Sequence, residues 1–260
     1  MNTPLYENRL TYILSLIDKN GQVKVADLAC ELSVSEMTIR RDLAELEVRN
    51  LVRRIHGGAV SRLGRSYEPP LLMRSASSIS AKKAIGKYAA GLVKEGDSIA
   101  LDVGSTVLEM ANCMRGGRNI TILTPSLLVA NVFIAEPNMQ IILTGGILRK
   151  GEGSLIGELA ERAFRNYFVD KLFLGVGAVS PEDGLTEYSW DDTLVKKAMI
   201  RSAKKVYVLA DSTKFNKTAF ISITGFNKIH HLITDQFPPD NLSKALEQAD
   251  VSITVVDIDE

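Results

Sequence analysis

Apolar residues near the start of the chain recur every three or four positions, which is the period of a helix, and then give way to a hairpin pattern. The spacing predicts helices over residues 7–19 and 25–32, and a third helix that begins after Ser35, whose hydroxyl can cap a helix N-terminus. Residues 51–56 are expected to form a strand, Gly57-Gly58 the hairpin turn, and Ala59-Val60 the start of the return strand. Three helices followed by a hairpin are typical of a small winged helix-turn-helix domain.

The outward face of the third predicted helix carries two adjacent arginines. Ile39, Leu43 and Leu46 share one stripe of that helix, whereas Arg40 and Arg41 point away from it. In this architecture the third helix lies in the major groove of duplex DNA, where arginine binds base edges and phosphates. The residues expected at the DNA interface are Ser35, Met37, Thr38, Arg40 and Arg41 on the helix, and Arg53, Arg54 and His56 in the wing.

The charge distribution favours the same interpretation. Residues 32–65 contain seven arginines against four acids, although the whole chain has 31 Lys+Arg, 31 Asp+Glu and a formal net charge of +0. A local positive surface on a neutral protein is typical of contact with phosphates. The alternative is an ordinary solvated helix face, on which Glu36, Asp42, Glu45 and Glu47 neutralise the arginines.

From Ala81 onward, short runs rich in strand-forming residues alternate with helical stripes. The predicted strands cover residues 98–103, 120–124, 140–144, 171–176, 206–210, 231–234 and 252–256. The predicted helices cover residues 84–93, 107–114, 127–135, 159–167, 193–203 and 242–248. This alternation predicts an α/β domain with a mostly parallel sheet covered by helices on both faces. Ligands bind such sheets beyond the carboxyl ends of the strands, so the loops there are the candidate sites.

Three of those loops have the composition of an anion site. Glycines allow close backbone approach, hydroxyls donate hydrogen bonds, and a helix N-terminus attracts negative charge. The residues assigned to this site are Asp102, Gly104, Ser105 and Thr106 after the first strand, Thr124 and Ser126 after the second, and Gly145, Gly146 and Arg149 after the third. Each loop taken alone fits a plain helix cap or turn, but three on one sheet edge favour a site for a phosphorylated small molecule.

Later loops add two candidates and leave several alternatives open. Lys214 is a phosphate ligand or a solvated loop lysine, while Lys196 and Lys197 are expected on a solvated helix face. Glu187 begins a segment that contains the only tryptophan, Trp190, which either lines a sugar site or packs in the core.

Composition sets the domain organisation. A chain of 260 residues with 45% hydrophobic residues favours two domains of unequal size, here residues 1–61 and 81–260, joined by a Pro- and Ser-rich linker over residues 62–80. Cys30 and Cys113 are too few for a disulfide framework or a metal site, and both are expected to be small buried residues. No apolar run is long enough for a membrane span and no secretory signal is evident, so a cytoplasmic protein is expected. No cofactor is expected either.

The chain resembles the DeoR family of bacterial transcription regulators. The resemblance is carried by Arg9, by Ser-x-x-Thr-Ile-Arg-Arg-Asp-Leu over residues 35–43, and by Arg-Arg-Ile-His-Gly-Gly-Ala in the wing. Further family elements stand at Asp102–Thr106, Gly145–Arg149, Gly184–Thr186 and Asp211–Phe215. One departure is Pro125, where the family usually has asparagine; proline removes an amide side chain and a backbone N–H from that loop.

The resemblance implies a second domain similar to ribose-5-phosphate isomerases, acting as a sensor. It therefore implies a repressor of sugar-metabolism genes, which binds double-stranded operator DNA as a homo-oligomer and responds to a phosphorylated sugar. The rival hypothesis is a sugar-phosphate isomerase that carries a DNA-binding head. The related isomerases have an acidic loop where this chain has Gly175-Val176-Gly177-Ala178-Val179, so the catalytic base is expected to be missing. A third hypothesis is a DNA-binding module whose second domain only oligomerises.

Overall fold

A computed structural model describes residues 9–14, 16–17, 21–49, 51–61, 64–116 and 119–258. The chain divides into two compact units, Met1–Tyr67 and Glu68–Glu260. Each unit has its own apolar core.

The first unit has the expected order of helices and wing. Its elements are helical residues 9–14 and 16–17 (α1), Gln22–Lys24 (β1), Val25–Glu31 (α2), Glu36–Val48 (α3), Val52–Ile55 (β2) and Gly58–Ser61 (β3). Ser35 caps α3, because its Oγ accepts a hydrogen bond from the Thr38 N–H at 3.1 Å. Strands β2 and β3 form the wing hairpin, and β1 pairs with β3 in an antiparallel sheet of order β1-β3-β2. Strand β1 was not expected, since three residues are too short to show a period.

The core of the first unit collects the stripes of all three helices. Its fully buried members include Leu10, Ile13, Leu28, Ile39 and Leu43. Each such side chain stabilises the fold by roughly 1.5–3 kcal/mol relative to exposure. The helix period seen in the sequence is therefore the pattern of this small core.

The two wing glycines are required by geometry. Gly57 has φ +75°, which favours glycine, and a Cβ atom on Gly58 would lie 2.0 Å from the carbonyl oxygen of Val23. The turn can therefore close against β1 only with glycine at position 58.

The second unit is built on seven parallel strands. They are Ser98–Leu101 (β4), Ile120–Thr124 (β5), Met139–Leu143 (β6), Val169–Gly175 (β9), Ala203–Leu209 (β12), His231–Thr234 (β14) and Ser252–Val255 (β15), in the order β15-β14-β12-β9-β4-β5-β6. The helices are Leu71–Ala76 (α4), Ile79–Gly91 (α5), Ser105–Cys113 (α6), Leu127–Phe133 (α7), Glu158–Asn166 (α8), Trp190–Ser202 (α9) and Asp240–Gln248 (α10). All seven predicted strands and six predicted helices of this domain are present, with ends shifted by a few residues.

Both faces of this sheet are buried, as the alternation along the strands shows. On β12, Val206 and Val208 face one apolar cluster, which also holds α8, α9 and α10 residues, whereas Tyr207 and Leu209 face the other, which holds α5, α6 and α7 residues. A parallel sheet covered on both faces leaves its strand ends and the loops beyond them as the accessible places for a ligand.

Several smaller elements had no sequence signal. A hairpin joins Ile147–Arg149 (β7) to Ser154–Ile156 (β8), and a second sheet of order β10-β11-β13 joins Ala178–Ser180 (β10), Gly184–Glu187 (β11) and Ile221–Thr224 (β13). These strands are only three or four residues long, which is too short for a reliable period.

The predicted linker over residues 62–80 differs from the structure. Residues 68–80 belong to the second unit and contain α4 and the first two residues of α5. The polar composition misled the prediction because the polar side chains of this stretch pack against other polar groups. Cys30 and Cys113 are both exposed, so the expectation that they are buried was wrong. Among the described residues, no helix is both long and apolar enough to cross a membrane.

Candidate nucleic-acid interface and anion site

The exposed face of α3 carries the residues that the sequence assigned to it. Ser35, Met37, Arg40 and Arg41 are exposed and Thr38 is half-buried. Arg40 pairs with Glu36 at 2.8 Å in an exposed i,i+4 ion pair of the kind that contributes little to stability. Within the described ranges, the guanidinium of Arg41 has no hydrogen-bond or ion-pair partner.

Asp42, the acid next to these arginines, lies on the opposite side of the helix. It is fully buried and accepts two hydrogen bonds from Arg9 of α1, at 2.6 Å and 3.0 Å. This bidentate pair holds α1 against α3 and makes Asp42 unavailable to Arg41. The alternative in which Asp42 neutralises the arginine face is therefore wrong for this residue.

The wing offers a second set of exposed cationic side chains. Arg53, Arg54 and His56 are all exposed. In the part of the chain that the structure describes, the guanidinium groups of Arg53 and Arg54 have no hydrogen-bond or ion-pair partner. The wing and α3 thus present guanidinium groups that the protein itself does not neutralise.

In the second unit, the loop after β4 opens onto the N-terminus of α6. Gly104 has φ +105°, and no side chain caps α6 among the described residues. Ser105 and Thr106 are 7% and 8% exposed, and neither hydroxyl has a hydrogen-bond partner in the described part of the chain. Uncapped N–H groups beside two buried, unpaired hydroxyls are the donors that an anion needs.

Directly beneath this loop lies a buried ion pair. Lys196 of α9, 2% exposed, donates a hydrogen bond to Asp102 and lies 3.4 Å from Glu187. Burial alone would lower the pKa of Lys196, but the carboxylates of Asp102 and Glu187 raise it above its ordinary value, so the ammonium stays protonated. Asp102 also accepts the Gly175 N–H at 2.9 Å, so it joins the ends of β4 and β9.

A group of charged residues covers the opposite side of the loop, and we call it the arginine cluster: Arg74, Arg149, Glu68, Glu152 and Asp192. Glu68 bonds to both arginines, at 2.6 Å to Arg149 and 3.0 Å to Arg74. Glu152 pairs with Arg74, and Asp192 pairs with Arg149 at 2.6 Å. Burial raises the pKa of Glu68 above its ordinary value even though both arginines oppose the shift.

These groups surround one cavity of about 530 Å³ of empty space, its open mouth included. Of the residues assigned from the sequence, its lining contains Gly104, Ser105, Thr106, Arg149, Glu187 and Lys214. Burial lowers the pKa of Lys214, although nearby Asp211 opposes that effect. The lining holds four cationic and four acidic side chains, so the cavity has no net charge.

The other residues assigned from the sequence lie outside the cavity lining, for reasons visible in the structure. Thr124 is fully buried and donates to the Leu101 carbonyl at 2.7 Å, while Ser126 caps α7 by accepting the Val129 N–H. Gly145 and Gly146 form the turn before β7, where a Cβ on Gly146 would lie 2.4 Å from a carbonyl oxygen. Asp102 is buried under the cavity rather than exposed to it. Trp190 is 59% exposed and lies outside the lining.

Sequence reasoning missed five charged lining residues: Glu68, Arg74, Glu152, Asp192 and Lys196. Arg74 and Glu68 fell in the predicted linker, and Lys196 was assigned to a solvated helix face, which the structure shows to be wrong. A faint signal existed for Lys196, because Asp192, Lys196 and Met199 share one face of α9 and Met199 is fully buried.

The cavity lining holds the donors that an anion site uses, together with four carboxylates. It combines a helix N-terminus, two hydroxyls and four cationic side chains. Within the described ranges, no group of three or more His, Cys, Asp or Glu side chains is placed to hold a metal ion.

Comparison with known proteins assigns a family to both units. Residues 9–63 match the model of the DeoR-like helix-turn-helix domain, and residues 77–236 match that of the DeoR C-terminal sensor domain. Among curated relatives, the regulator FruR of Bacillus subtilis is 35% identical over 231 residues, which are 89% of this chain and 92% of that protein. The glycerol-3-phosphate regulon repressor of Escherichia coli is 30% identical over 234 residues, 90% and 92% of the two chains.

Solved structures give weaker likenesses. Ribose 5-phosphate isomerase A from Methanocaldococcus jannaschii aligns with a TM-score of 0.40 and 19% identity, over 53% of this chain and 55% of that one. The eIF2B beta subunit from Chaetomium thermophilum aligns with a TM-score of 0.46 and 14% identity, over 68% and 55%. The sequence matches, which cover nearly the whole chain, show that this protein belongs to the DeoR family of transcriptional regulators.

Proposed function

We propose that this chain represses transcription by binding operator DNA through α3 and the wing, and that a phosphorylated sugar or sugar intermediate in the second unit controls that binding. The observation that carries the proposal is the pairing, in one chain, of exposed guanidinium groups on α3 and the wing with a separate cavity lined by the N-terminus of α6, two hydroxyls and four cationic side chains. Relatives named as repressors of metabolic regulons support the same reading.

The DNA-binding half of the proposal depends on the exposed arginines. Arg41 faces away from the core of its unit and has no partner among the described residues, which suits a bidentate contact with guanine or a phosphate contact. Arg53, Arg54 and His56 in the wing would bind the adjoining backbone or minor groove. One helix reads few base pairs, so a homo-oligomer bound to paired half-sites would supply the specificity.

The effector half depends on the α6 N-terminus. A phosphate group there would accept hydrogen bonds from the first N–H groups of α6 and from Ser105 and Thr106, with Lys214 and the arginine cluster as nearby cations. A sugar moiety would then extend across the cavity toward Glu187.

An isomerase mechanism is not favoured, because each carboxylate in the lining is already occupied by a cation. Glu187 lies against Lys196, Asp192 against Arg149, and Glu68 and Glu152 against Arg74. A carboxylate held by a protonated lysine or arginine is a poor general base. The curated relatives are likewise named as regulators.

A thermal-shift panel tests the effector half. Phosphorylated sugars should raise the unfolding temperature of the full chain, whereas the same sugars without phosphate should not, because only the folded state binds the phosphate. The Ser105→Ala variant should reduce that increase by weakening affinity about tenfold, as expected for one lost hydrogen bond to a charged group.

A matched control is Ser252→Ala on β15, an exposed serine outside the cavity, which should respond as the parent chain does. The same ligands should then release the chain from a DNA fragment selected from a genomic library. A panel with no response to any phosphorylated compound would refute the effector half and leave the oligomerisation hypothesis standing.

A further inference from the structure

The two arginines nearest the proposed phosphate position are already occupied by carboxylates of the protein. Glu68 and Glu152 pair with Arg74, Glu68 and Asp192 pair with Arg149, and the lining as a whole holds four cationic and four acidic side chains. A phosphate dianion entering this cavity gains little attraction unless at least one carboxylate leaves.

Arg74 is placed to meet such a phosphate. A Cβ atom on Gly104 would stand 4.0 Å from Nη1 of Arg74, so the guanidinium lies beside the turn that leads into α6. Its Nη2 is bound by Glu68 and Glu152, and its Nε donates to the Pro69 carbonyl at 2.8 Å. The guanidinium therefore lies beside the α6 turn with Nη1 free among the described residues and with its other two nitrogens held by internal partners.

Among the three acids, Glu68 differs in two ways. It bonds to both arginines, whereas Glu152 and Asp192 each hold one. It is also the first residue of the second unit and follows Tyr67 of the first unit directly in the chain, whereas Asp192 belongs to the long helix α9. Release of Glu68 would therefore remove the contact at the start of this stretch, whose later part is also held by Lys82 through the carbonyls of Arg74 and Ser77.

We propose that Glu68 is an internal stand-in for the effector's anionic group: it occupies the Arg74–Arg149 pair in the ligand-free chain, and an arriving phosphate displaces it. Displacement loosens residues 68–77, which we call the α4 segment, and thereby couples the cavity to the DNA-binding unit. The inference depends on the phosphate site proposed above and adds the means by which that site controls DNA binding.

Control of DNA binding by a ligand requires that the ligand distinguish between two states of the protein. A ligand changes a conformational equilibrium only if it binds the two states with different affinity. Competition between Glu68 and the ligand for the same guanidinium groups supplies that difference, because displacement of Glu68 frees the Arg149 Nη2 donor and removes the carboxylate that lies 3.0 Å from Arg74 Nη2. The raised pKa of Glu68, caused by burial, agrees with a carboxylate that loses little on moving to water.

The experiment compares three variants of the full chain with the parent. Binding of inorganic phosphate is measured by calorimetry, and the backbone amides of the α4 segment are followed by hydrogen exchange. The Arg74 N–H donates to Pro70 at 3.0 Å and the Ser77 N–H donates to Met73 at 3.1 Å, so both amides report whether this segment stays folded.

Glu68→Gln should bind phosphate about tenfold more tightly than the parent, a typical size for such a coupling. Its α4 segment should exchange rapidly without phosphate and change little when phosphate is added, whereas in the parent phosphate should cause the increase. Asp192→Asn also removes a carboxylate from Arg149, so its affinity for phosphate should rise too, but its α4 segment should exchange as slowly as that of the ligand-free parent. Glu161→Gln, on α8 and outside the lining, should match the parent in both measurements.

The outcomes separate this inference from the function on which it depends. If the parent binds phosphate and Glu68→Gln binds it no better, or if phosphate leaves the exchange of the α4 segment unchanged, the displacement of Glu68 is refuted and the phosphate site survives. If neither the parent nor Glu68→Gln binds phosphate, the phosphate site fails and the inference fails with it. Glu68→Ala repeats the test should the amide of Gln retain a hydrogen bond to the arginines.

Discussion

The two units use their cationic side chains in opposite ways. In the first unit, Arg41, Arg53 and Arg54 are exposed, and their guanidinium groups have no partners among the described residues. In the second unit, Arg74, Arg149 and Lys196 are mostly or fully buried, and each is held by at least one carboxylate. The same residue types thus serve as a solvated surface in one unit and as an internally compensated network in the other.

The difference follows from the size of the partner. A DNA duplex brings many phosphates to a surface, so the guanidinium groups that bind it can remain hydrated in the free protein, with little cost in folding free energy. A small anion must be enclosed to be bound selectively, and enclosing cations without partners would cost several kcal/mol each. The second unit offsets that cost with carboxylates, and we propose that one of them, Glu68, leaves when an anion binds.

The largest effect is expected from removing the most buried cation of the second unit. Lys196→Met leaves Asp102 as a buried carboxylate without its ammonium partner, which should destabilise that unit by about 3–5 kcal/mol. Urea unfolding monitored by the fluorescence of Trp190, the only tryptophan, measures this loss.

The adjacent lysine provides a matched control. Lys197 is only half-buried, and Lys197→Met should change the unfolding free energy by no more than about 0.5 kcal/mol. The double variant Lys196→Met with Asp102→Asn should recover part of the loss, since the uncompensated charge is gone. Equal destabilisation by the two lysine substitutions would contradict a buried, compensated network.

An intermediate effect, on binding rather than stability, is expected in the first unit. Arg41→Ala should weaken binding to selected operator DNA by about 1–3 kcal/mol, as for a lost bidentate base contact, and should leave the unfolding free energy nearly unchanged. Fluorescence anisotropy at fixed salt measures the affinity.

Arg165→Ala is the control for that experiment, since Arg165 is 60% exposed and lies on α8 of the second unit. It should bind DNA as the parent does. Unaltered affinity of Arg41→Ala at physiological salt would remove α3 from the DNA interface, and a loss of stability would show that Arg41 is not the free surface cation described above.

The smallest effect concerns Lys82, a buried cation held mainly by neutral carbonyls. It donates to the carbonyls of Arg74 and Ser77 and lies 3.8 Å from Asp211, and burial lowers its pKa from 10.5 to about 8. Between these two values the unfolded chain keeps the Lys82 proton and the folded chain has released it. The free energy of unfolding should therefore rise with pH, by about 1 kcal/mol between about pH 8 and pH 9.

The neighbouring residue again supplies the comparison. Lys83 is exposed, so Lys83→Met should keep the rise in stability, whereas Lys82→Met should lose it. Unfolding midpoints in urea across this pH range provide the measurement. A parent chain whose stability falls from about pH 8 upward, with Lys82→Met unaffected, would show that the Lys82 proton is held more tightly in the folded state than in the unfolded one.

Much of the fold was predictable because its determinants are local. The strand over residues 120–124 matched the predicted bounds, since a buried parallel strand is a continuous apolar run between polar loops. The capping Ser35 and the two wing glycines were equally legible, because caps and turns depend on neighbouring residues only.

The anion site was predictable only in part. The loop at Gly104, Ser105 and Thr106 was found because a glycine and hydroxyls at a helix start are adjacent in sequence. Lys196 was missed because a lysine buried beside carboxylates and a lysine in water have the same sequence neighbourhood. Arg74 was missed because it fell in the predicted linker. Thr124 and Ser126 looked like ligand donors but are consumed by internal hydrogen bonds.

The sequence by itself determined the helical and strand periods, the caps, the family motifs and the positive face of α3, since each depends on residues only a few positions apart. Only the tertiary structure decided which charges are compensated. Asp102 and Lys196 are 94 positions apart, and Glu68 and Arg149 are 81 apart, so their pairing depends on the order of strands in the sheet. Electrostatic energy depends on distance and burial in space, and neither quantity is contained in the local pattern of the chain.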